Sequence, residues 1–179
     1  ARMGGRYIFP ADTMLVGAMN PCKCGYYPNR NRCRCTEREV KKYLQKLSQP
    51  LLDRMDISVE AEELTYQDLQ EKRKNESSKE IKERVQKAQK RQKERYAQTD
   101  FLFNSDLDPA GIKRFCKMNK SAQKLLEEGF EKLGMTVRSY HKIIKVAQTV
   151  VDLEGAKWIE ERHIAEAMCY RMSQQKFWN

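Results

Sequence analysis

Glycine, proline and long apolar runs are scarce in this sequence. Its 179 residues include 8 glycines and 5 prolines, too few for an all-β fold that needs a tight turn after each short strand. No apolar run approaches the length of a membrane span, and no signal peptide is recognisable. These absences predict a mainly helical protein that has no membrane association and is cytoplasmic.

Acidic residues are also in the minority. The sequence has 35 lysines and arginines against 25 aspartates and glutamates, a net charge of +10. Eleven basic and five acidic residues lie between Glu71 and Arg95, so +6 of the excess falls in one stretch. Such a cluster attracts polyanions, because Lys and Arg release the counterions condensed on phosphates. A nucleic-acid surface and a solvated helix face both fit this stretch.

Four of the six cysteines are concentrated in one polar loop. They form the pattern Cys22-x-Cys24 followed by Cys33-x-Cys35, among Gly, Pro, Asn and Arg residues. Four thiolates suit tetrahedral zinc, which favours soft sulfur ligands. Four reduced thiols without a metal, or a disulfide pair, are the alternatives, although nothing indicates the secretion that disulfides usually accompany. The other two cysteines, Cys116 and Cys169, fall on apolar helix faces and are predicted to be core residues.

Short apolar runs and turns alternate in the first third of the chain. Runs at 7–9 and 14–19, separated by a Pro-Ala-Asp break, predict two strands. The second lacks polar alternation, as in a strand buried on both faces of a parallel sheet. Another short strand is predicted at 57–59. Between them, Thr36 and Glu39 have the spacing of a capping box and predict the start of a helix.

Helical periodicity dominates the rest of the sequence. Ser77 and Glu80 again have capping-box spacing, and 79–98 carries a narrow apolar stripe, typical of a protruding helix that packs along one edge. Three longer helices are predicted over 121–133, 137–153 and 160–172, the first two ending at glycines. The predicted fold class is therefore mixed α/β but mostly helical.

Three polar residues are candidate catalytic groups. Asn20 ends the predicted buried strand, the place where open α/β sheets bind ligands. Arg54 follows two leucines, and an Arg held at a subunit edge can stabilise a transferring phosphoryl group; a surface ion pair, for instance with Asp56, is the alternative. Arg138 lies at the start of a long helix, where the helix dipole disfavours a cation, although a plain exposed Arg also fits. Both histidines lack metal-type spacing and are interpreted as structural.

Taken together, several segments resemble the magnesium-chelatase-like AAA+ ATPases. FPADTMLVGAMNPCKCGYY, LSQPLLDRMDISVE and VRSYHKIIKVAQTVVDLEG occur in this order in the family. The NPCxCGY segment is similar to the signature of a bacterial subgroup linked to natural competence. The resemblance implies that Asn20 is sensor 1, Arg54 the arginine finger of a neighbouring subunit's ATP site and Arg138 sensor 2. It also implies ATP and Mg²⁺ as ligands, a hexameric homo-oligomeric ring, and branched DNA as a partner.

One departure from the family bears on activity. The sequence contains no GxxxxGK[ST] loop, so this chain, which begins inside a predicted strand and reads as a fragment, is not expected to hydrolyse ATP alone. The resemblance implies three parts: a carboxy-terminal portion of the AAA+ core with the four-cysteine loop (1–60), a helical insertion (61–103) and a helical lid (104–179). A chelatase-type motor acting on a protein partner and a zinc-containing nucleic-acid-binding module remain alternatives.

Overall fold

Helices make up nearly all of the regular structure in this computed structural model. The structure describes residues 8, 9, 11, 13–61, 63–70 and 75–178, and these form two compact units, Ala1–Lys46 and Leu47–Asn179. No described helix combines the length and the apolar character needed to cross a bilayer. In chain order the helices are α1 (Glu37–Leu44), α2 (Gln49–Leu52), α3 (Tyr66–Gln70), α4 (Ser78–Tyr96), a 3-10 turn (Asn104–Asp106), α5 (Pro109–Phe115), α6 (Lys120–Lys132), α7 (Val137–Glu154) and α8 (Glu161–Trp178).

The strands predicted at 14–19 and 57–59 are not formed. Across the described residues, the only β-pairing outside helices is an isolated parallel bridge between Met118 and Ile159. Met14 and Val16, predicted to be buried, are 90% and 81% exposed. An extended segment needs a neighbouring strand to pair its N–H and C=O groups, and the described residues supply none beside these segments. The run at 7–9 lies partly outside the described residues, whereas the mostly helical fold is confirmed.

The helix ends follow the capping signals in the sequence. Thr36 Oγ1 accepts the Glu39 N–H at 3.3 Å, and the Glu39 carboxylate accepts the Thr36 N–H at 2.9 Å. Ser77 and Glu80 form the same reciprocal pair at the start of α4. At the end of α7, Gly155 has a φ of +78°, a conformation that glycine adopts without a Cβ clash. Local hydrogen bonding therefore sets these boundaries.

The core of Leu47–Asn179 is built around α7. Its residues Ile143, Ala147 and Val151 are almost fully buried, and α4, α5 and α8 pack against the helix. From α8 the core receives Ile164. Cys116 is buried as predicted, but the prediction for Cys169 is wrong, because this thiol is exposed. With about 100° of rotation per residue, Cys169 lies on the side of α8 opposite its buried residues Ile164, Ala167 and Met168. The prediction relied on the apolar character of the residue and assigned it to the wrong side of the helix.

A buried polar network fastens the second half of α4 to α7. Asp152 is 1% exposed, and the Arg95 guanidinium donates to both of its carboxylate oxygens. The Asn104 amide donates to Asp152 Oδ2 and to Thr149 Oγ1, each at 2.9 Å, while Tyr96 O–H donates to Asn104 Oδ1 at 2.7 Å. The predicted boundary between the helical insertion (61–103) and the lid (104–179) runs through this network. That boundary stays a prediction.

Changing Asn104 to Ala should destabilise the Leu47–Asn179 unit by roughly 2–3 kcal/mol. The change removes both amide bonds and leaves the buried Asp152 carboxylate and the Tyr96 hydroxyl each short of a partner. Urea unfolding followed by the fluorescence of the two tryptophans would measure the loss. The control is Ser105→Ala at the adjacent exposed residue, expected to shift stability by less than about 0.5 kcal/mol. Equal effects of the two changes would contradict the network's role.

Candidate functional site

The LLDRMD segment combines a buried leucine with an exposed arginine, Arg54. Leu52 is buried at the end of α2, and Arg54, two residues on, is exposed. The Arg54 Nη1 donates to the Pro50 C=O at 2.7 Å. Asp56, considered above as an ion-pair partner for Arg54, lies instead 2.8 Å from the Lys142 Nζ. Arg54 is therefore not committed to that carboxylate.

Arg54 and Arg138 line one open cleft of about 530 Å³. Arg138 belongs to the first turn of α7, which begins after the N-cap Thr136. Helix N-termini favour anions through their free N–H groups and their dipole. The cationic lining and the helix N-terminus together fit a polyanion such as a chain of phosphates. The other lining residues are Leu107, Pro109, Ile112, Val137, His141, Lys142 and Lys145.

Three polar residues of this cleft were missed by the sequence analysis. His141, Lys142 and Lys145 follow Arg138 at the i+3, i+4 and i+7 positions, the spacing that places side chains on one helix face. That periodicity was the available signal, but it was applied only to the apolar residues of α7. Burial lowers the pKa of Lys145, an effect that the negative charge of Asp56 opposes. His141 lies in the lining of the cleft, and its interpretation as structural stays a prediction.

His163 has the structural role that its sequence context suggested. It is fully buried, and its Nδ1 accepts the Glu160 N–H at 2.9 Å at the start of α8. The proton must then reside on Nε2, which lies 3.0 Å from the Glu154 carboxylate and donates to it. This histidine ties the end of α7 to the start of α8, some distance along the chain from the cleft residues.

In the other compact unit, the four clustered cysteines bring their sulfur atoms together. All four Sγ atoms lie within 4.8 Å of one another, and none is in a disulfide. The Sγ–Sγ distances are 3.3 Å for Cys22–Cys24, 3.6 Å for Cys24–Cys33 and 3.9 Å for Cys22–Cys33. A tetrahedral site with Zn–S bonds of about 2.3 Å needs sulfurs about 3.8 Å apart. Cys22, Cys24, Cys33 and Cys35 could therefore hold zinc after their sulfur–sulfur distances change by at most about 1 Å.

Two tight turns fold the cysteine loop back on itself. Gly25, with a φ of +85°, donates its N–H to the Cys22 C=O at 3.1 Å. The Cys33 N–H then bonds to the Asn29 C=O at 2.8 Å, which returns the second cysteine pair to the first. Glycine suits this position, because it adopts a positive φ without a Cβ clash. The spacing of the cysteines thus becomes a compact cluster through local backbone bonds.

The thiols of the cluster differ in acidity. A hydrogen bond from the Tyr26 backbone N–H, supported by the Cys22 side chain, lowers the pKa of Cys24 to about 6. Burial raises the pKa of Cys33 to about 11. The cluster therefore contains one more acidic thiol, Cys24, and one that holds its proton more strongly, Cys33. Metal binding at such a cluster releases protons and is favoured by rising pH.

Asn20 lies beside the cysteine loop. Its side chain is exposed, and a Cβ added to Gly25 would be 3.8 Å from the Asn20 Cγ. It belongs to the unit Ala1–Lys46, whereas Arg54 and Arg138 belong to the unit Leu47–Asn179. The structure thus brings the two arginines together, and the role of Asn20 stays a prediction.

Two protein-family models match this chain. The family model described as "Magnesium chelatase, subunit ChlI C-terminal" matches residues 75–171, and the one described as "Magnesium chelatase, subunit ChlI" matches residues 1–69. The chain belongs to the magnesium chelatase ChlI family. The family membership inferred from the sequence segments is confirmed.

Relatives of the chain include a competence protein. Competence protein ComM of Haemophilus influenzae is 38% identical over 172 residues, which cover 96% of this chain and 33% of that protein. The uncharacterized protein YifB of Salmonella typhimurium is 35% identical over 172 residues, with the same two shares. The uncharacterized protein Rv2897c of Mycobacterium tuberculosis is 27% identical over 173 residues, 97% of this chain and 34% of that protein. The chain therefore spans about a third of the length of these relatives.

Proposed function

We propose that this chain is the part of an ATP-driven AAA+ motor that carries sensor 1, the arginine finger and sensor 2. The observation that carries the proposal is the cleft shared by Arg54 and Arg138. Phosphoryl transfer depends mainly on positioning and on neutralising the charge of the phosphate oxygens, which two guanidinium groups can do. The phosphate-binding loop and its Mg²⁺ site are supplied by residues outside this chain.

The shared cleft supports a specific form of cooperation between the two arginines. Because Arg54 and Arg138 line the same cleft of one chain, they act on the same nucleotide. An arginine finger reaches the ATP of a neighbouring subunit, so Arg138 acts on that neighbour's ATP as well. The motor is then a homo-oligomeric ring, hexameric by resemblance to the family, in which each subunit contributes both arginines to the next site.

We further propose that the cysteine cluster holds one structural zinc ion. Four cysteines without an open coordination position are typical of structural sites, where zinc stabilises a small loop. The metal would cross-link two turns that otherwise depend on a few backbone hydrogen bonds. Reduced thiols fit a reducing compartment, which supports a cytoplasmic location.

The proposed substrate of the whole motor is branched DNA. The relative named as a competence protein suggests work on DNA, and the net charge of +10 supports a polyanionic partner. Lys82, Lys87 and Lys90 on α4 are exposed. With about 100° of rotation per residue, Lys87 and Lys90 lie on the side of α4 away from its buried stripe, and Lys82 lies at the flank of that stripe. We call these three residues the α4 basic face.

The test of the proposed function is ATP hydrolysis and branched-DNA unwinding by the full-length protein. We expect DNA to stimulate hydrolysis and unwinding to require hydrolysable ATP. Hydrolysis stimulated by a protein partner but not by DNA would favour the chelatase-type motor. DNA binding by this chain alone, salt-sensitive and independent of nucleotide, with no unwinding by the full-length protein, would favour a zinc-containing nucleic-acid-binding module.

Reversing the charge of the α4 basic face should weaken DNA binding by the full-length protein. Lys82→Glu, Lys87→Glu and Lys90→Glu together should lower affinity about tenfold or more and reduce the slope of log affinity against log salt by about 3, because each phosphate contact contributes about one. Fluorescence anisotropy across a salt series measures both quantities. Of the basic stretch predicted above, 72–74 lies outside the described residues.

The matched control reverses three exposed lysines on α6 instead. Lys120→Glu, Lys124→Glu and Lys132→Glu make the same change in net charge on another helix. They should change affinity less and leave the salt slope closer to that of the wild type. If the two triple variants behave alike, general electrostatics explain the binding, and the α4 basic face is only a solvated surface.

A further inference from the structure

Two cationic side chains, one from α7 and one from α8, bind the 53–56 loop, which carries Arg54. The Lys142 ammonium on α7 donates to the Arg54 C=O and pairs with the Asp56 carboxylate at 2.8 Å. From α8, the Arg171 Nη1 donates to the Met55 C=O at 3.0 Å. Two consecutive carbonyls of this loop are thus bound by side chains from distant parts of the sequence.

Lys142 is placed to link the two arginines of the cleft. It lies one helical turn after Arg138 on α7, so both side chains belong to the same face. Its side chain is only 18% exposed, and its ammonium bridges the backbone of Arg54 and the carboxylate two residues later. The Lys142 side chain therefore links the Arg54 backbone directly to the helix that carries Arg138.

We propose that Lys142 is a positioning residue that fixes Arg54 relative to Arg138 for action on one nucleotide. The inference rests on the proposed function, because it gives Lys142 a role only if Arg54 stabilises charge during ATP hydrolysis. Lys142 acts through the Arg54 backbone and not through the phosphates. A displacement of about 1 Å in a reacting group can lower a rate by about 10²-fold, even when every contacting group remains in place.

The test compares Lys142→Met with Lys145→Met in the full-length protein. Methionine keeps an apolar stem of similar length in both cases and removes one cleft charge in each. Lys145 donates to the Ser105 C=O at 2.7 Å, and it interacts with the 53–56 loop only through the negative charge of Asp56. We expect Lys142→Met to lower kcat for ATP hydrolysis about 10²-fold with a small change in KM. Lys145→Met should raise KM by a larger factor than it lowers kcat.

Two further measurements separate positioning from general stability. In the Arg54→Ala background, Lys142→Met should cause almost no additional loss of kcat, since its effect passes through Arg54. Hydrogen exchange of the Arg54 and Met55 amides should accelerate in Lys142→Met without nucleotide, while exchange within α7 stays unchanged. Lys142→Arg, which can still donate to a carbonyl and a carboxylate, should restore part of kcat.

The outcomes distinguish failure of this inference from failure of the proposed function. If Arg54→Ala lowers kcat but Lys142→Met mainly raises KM, as Lys145→Met does, Lys142 is a phosphate-facing charge and the positioning role is wrong. Multiplicative losses in the double variant would also overturn it. If Arg54→Ala itself leaves hydrolysis unchanged, the proposed function fails first, and the accelerated amide exchange alone would then describe a structural clamp.

Discussion

Changing Cys33 to Ser should release most of the zinc from the protein. Structural zinc sites contribute about 10–16 kcal/mol of apparent binding free energy at neutral pH. Losing one of four thiolates should remove about a quarter of this, roughly 3–4 kcal/mol, or about 10²–10³-fold in affinity. Cys33 suits the test because it is buried and its sulfur lies within 3.9 Å of both Cys22 and Cys24.

The measurement is the zinc content of protein purified without chelator, followed by competition with a chelator of known affinity. Wild-type protein should contain close to one zinc per chain. Cys169→Ser is the matched control, because this thiol is exposed and lies outside the cluster; its zinc content should equal that of the wild type. A well-folded, zinc-free wild-type protein with four titratable clustered thiols would show that the cluster is not a metal site.

The parts of the fold that the sequence could predict are those set by residues close together in the chain. The capping boxes at Thr36 and Ser77 and the left-handed Gly155 depend on neighbours in the chain, so their residues are enough to place the helix ends. The α7 core residues follow from periodicity for the same reason. The strands predicted at 14–19 and 57–59 depend on partner strands, and a pattern of apolar residues cannot supply those.

The two candidate sites differ in the same way: one is built from residues close in the chain and the other from distant residues. The cysteine cluster was predictable because two short turns within fourteen residues build it. The cleft was not, because it joins Arg54 to α7 residues more than eighty positions away. The sequence pattern singled out Arg54 and Arg138 separately, and their roles came from family resemblance. Lys142 was missed because a lysine on an amphipathic helix looks like any solvated charge until its partners are known.

Changing Arg54 to Ala in the full-length protein should lower the rate of ATP hydrolysis by roughly 10³-fold or more. The guanidinium is expected to meet charge that develops on the phosphate oxygens in the transition state, so kcat should fall more than nucleotide affinity. Arg54→Lys should rescue poorly, because an ammonium lacks the planar fork that binds two oxygens. Single-turnover hydrolysis and binding of a fluorescent nucleotide would separate the two effects.

A wild-type rate in Arg54→Ala would overturn the arginine-finger assignment. The structural alternative, in which Arg54 only closes its turn on the Pro50 carbonyl, predicts a small loss of stability and nearly normal hydrolysis. Thermal unfolding of the variant is therefore the necessary control. A large loss of activity with an unchanged melting temperature would exclude misfolding as its cause.

Mixed rings test whether Arg54 and Arg138 act on the same nucleotide. Arg54→Ala subunits mixed with subunits defective in the phosphate-binding loop should regain activity, because some interfaces then pair an intact loop with an intact finger. Arg54→Ala subunits mixed with Arg138→Ala subunits should not, because every subunit then presents one defective arginine to the site it completes. If Arg138 served its own subunit's ATP while Arg54 served the neighbour's, this second mixture would instead contain complete sites and regain activity. The shared cleft predicts the first result.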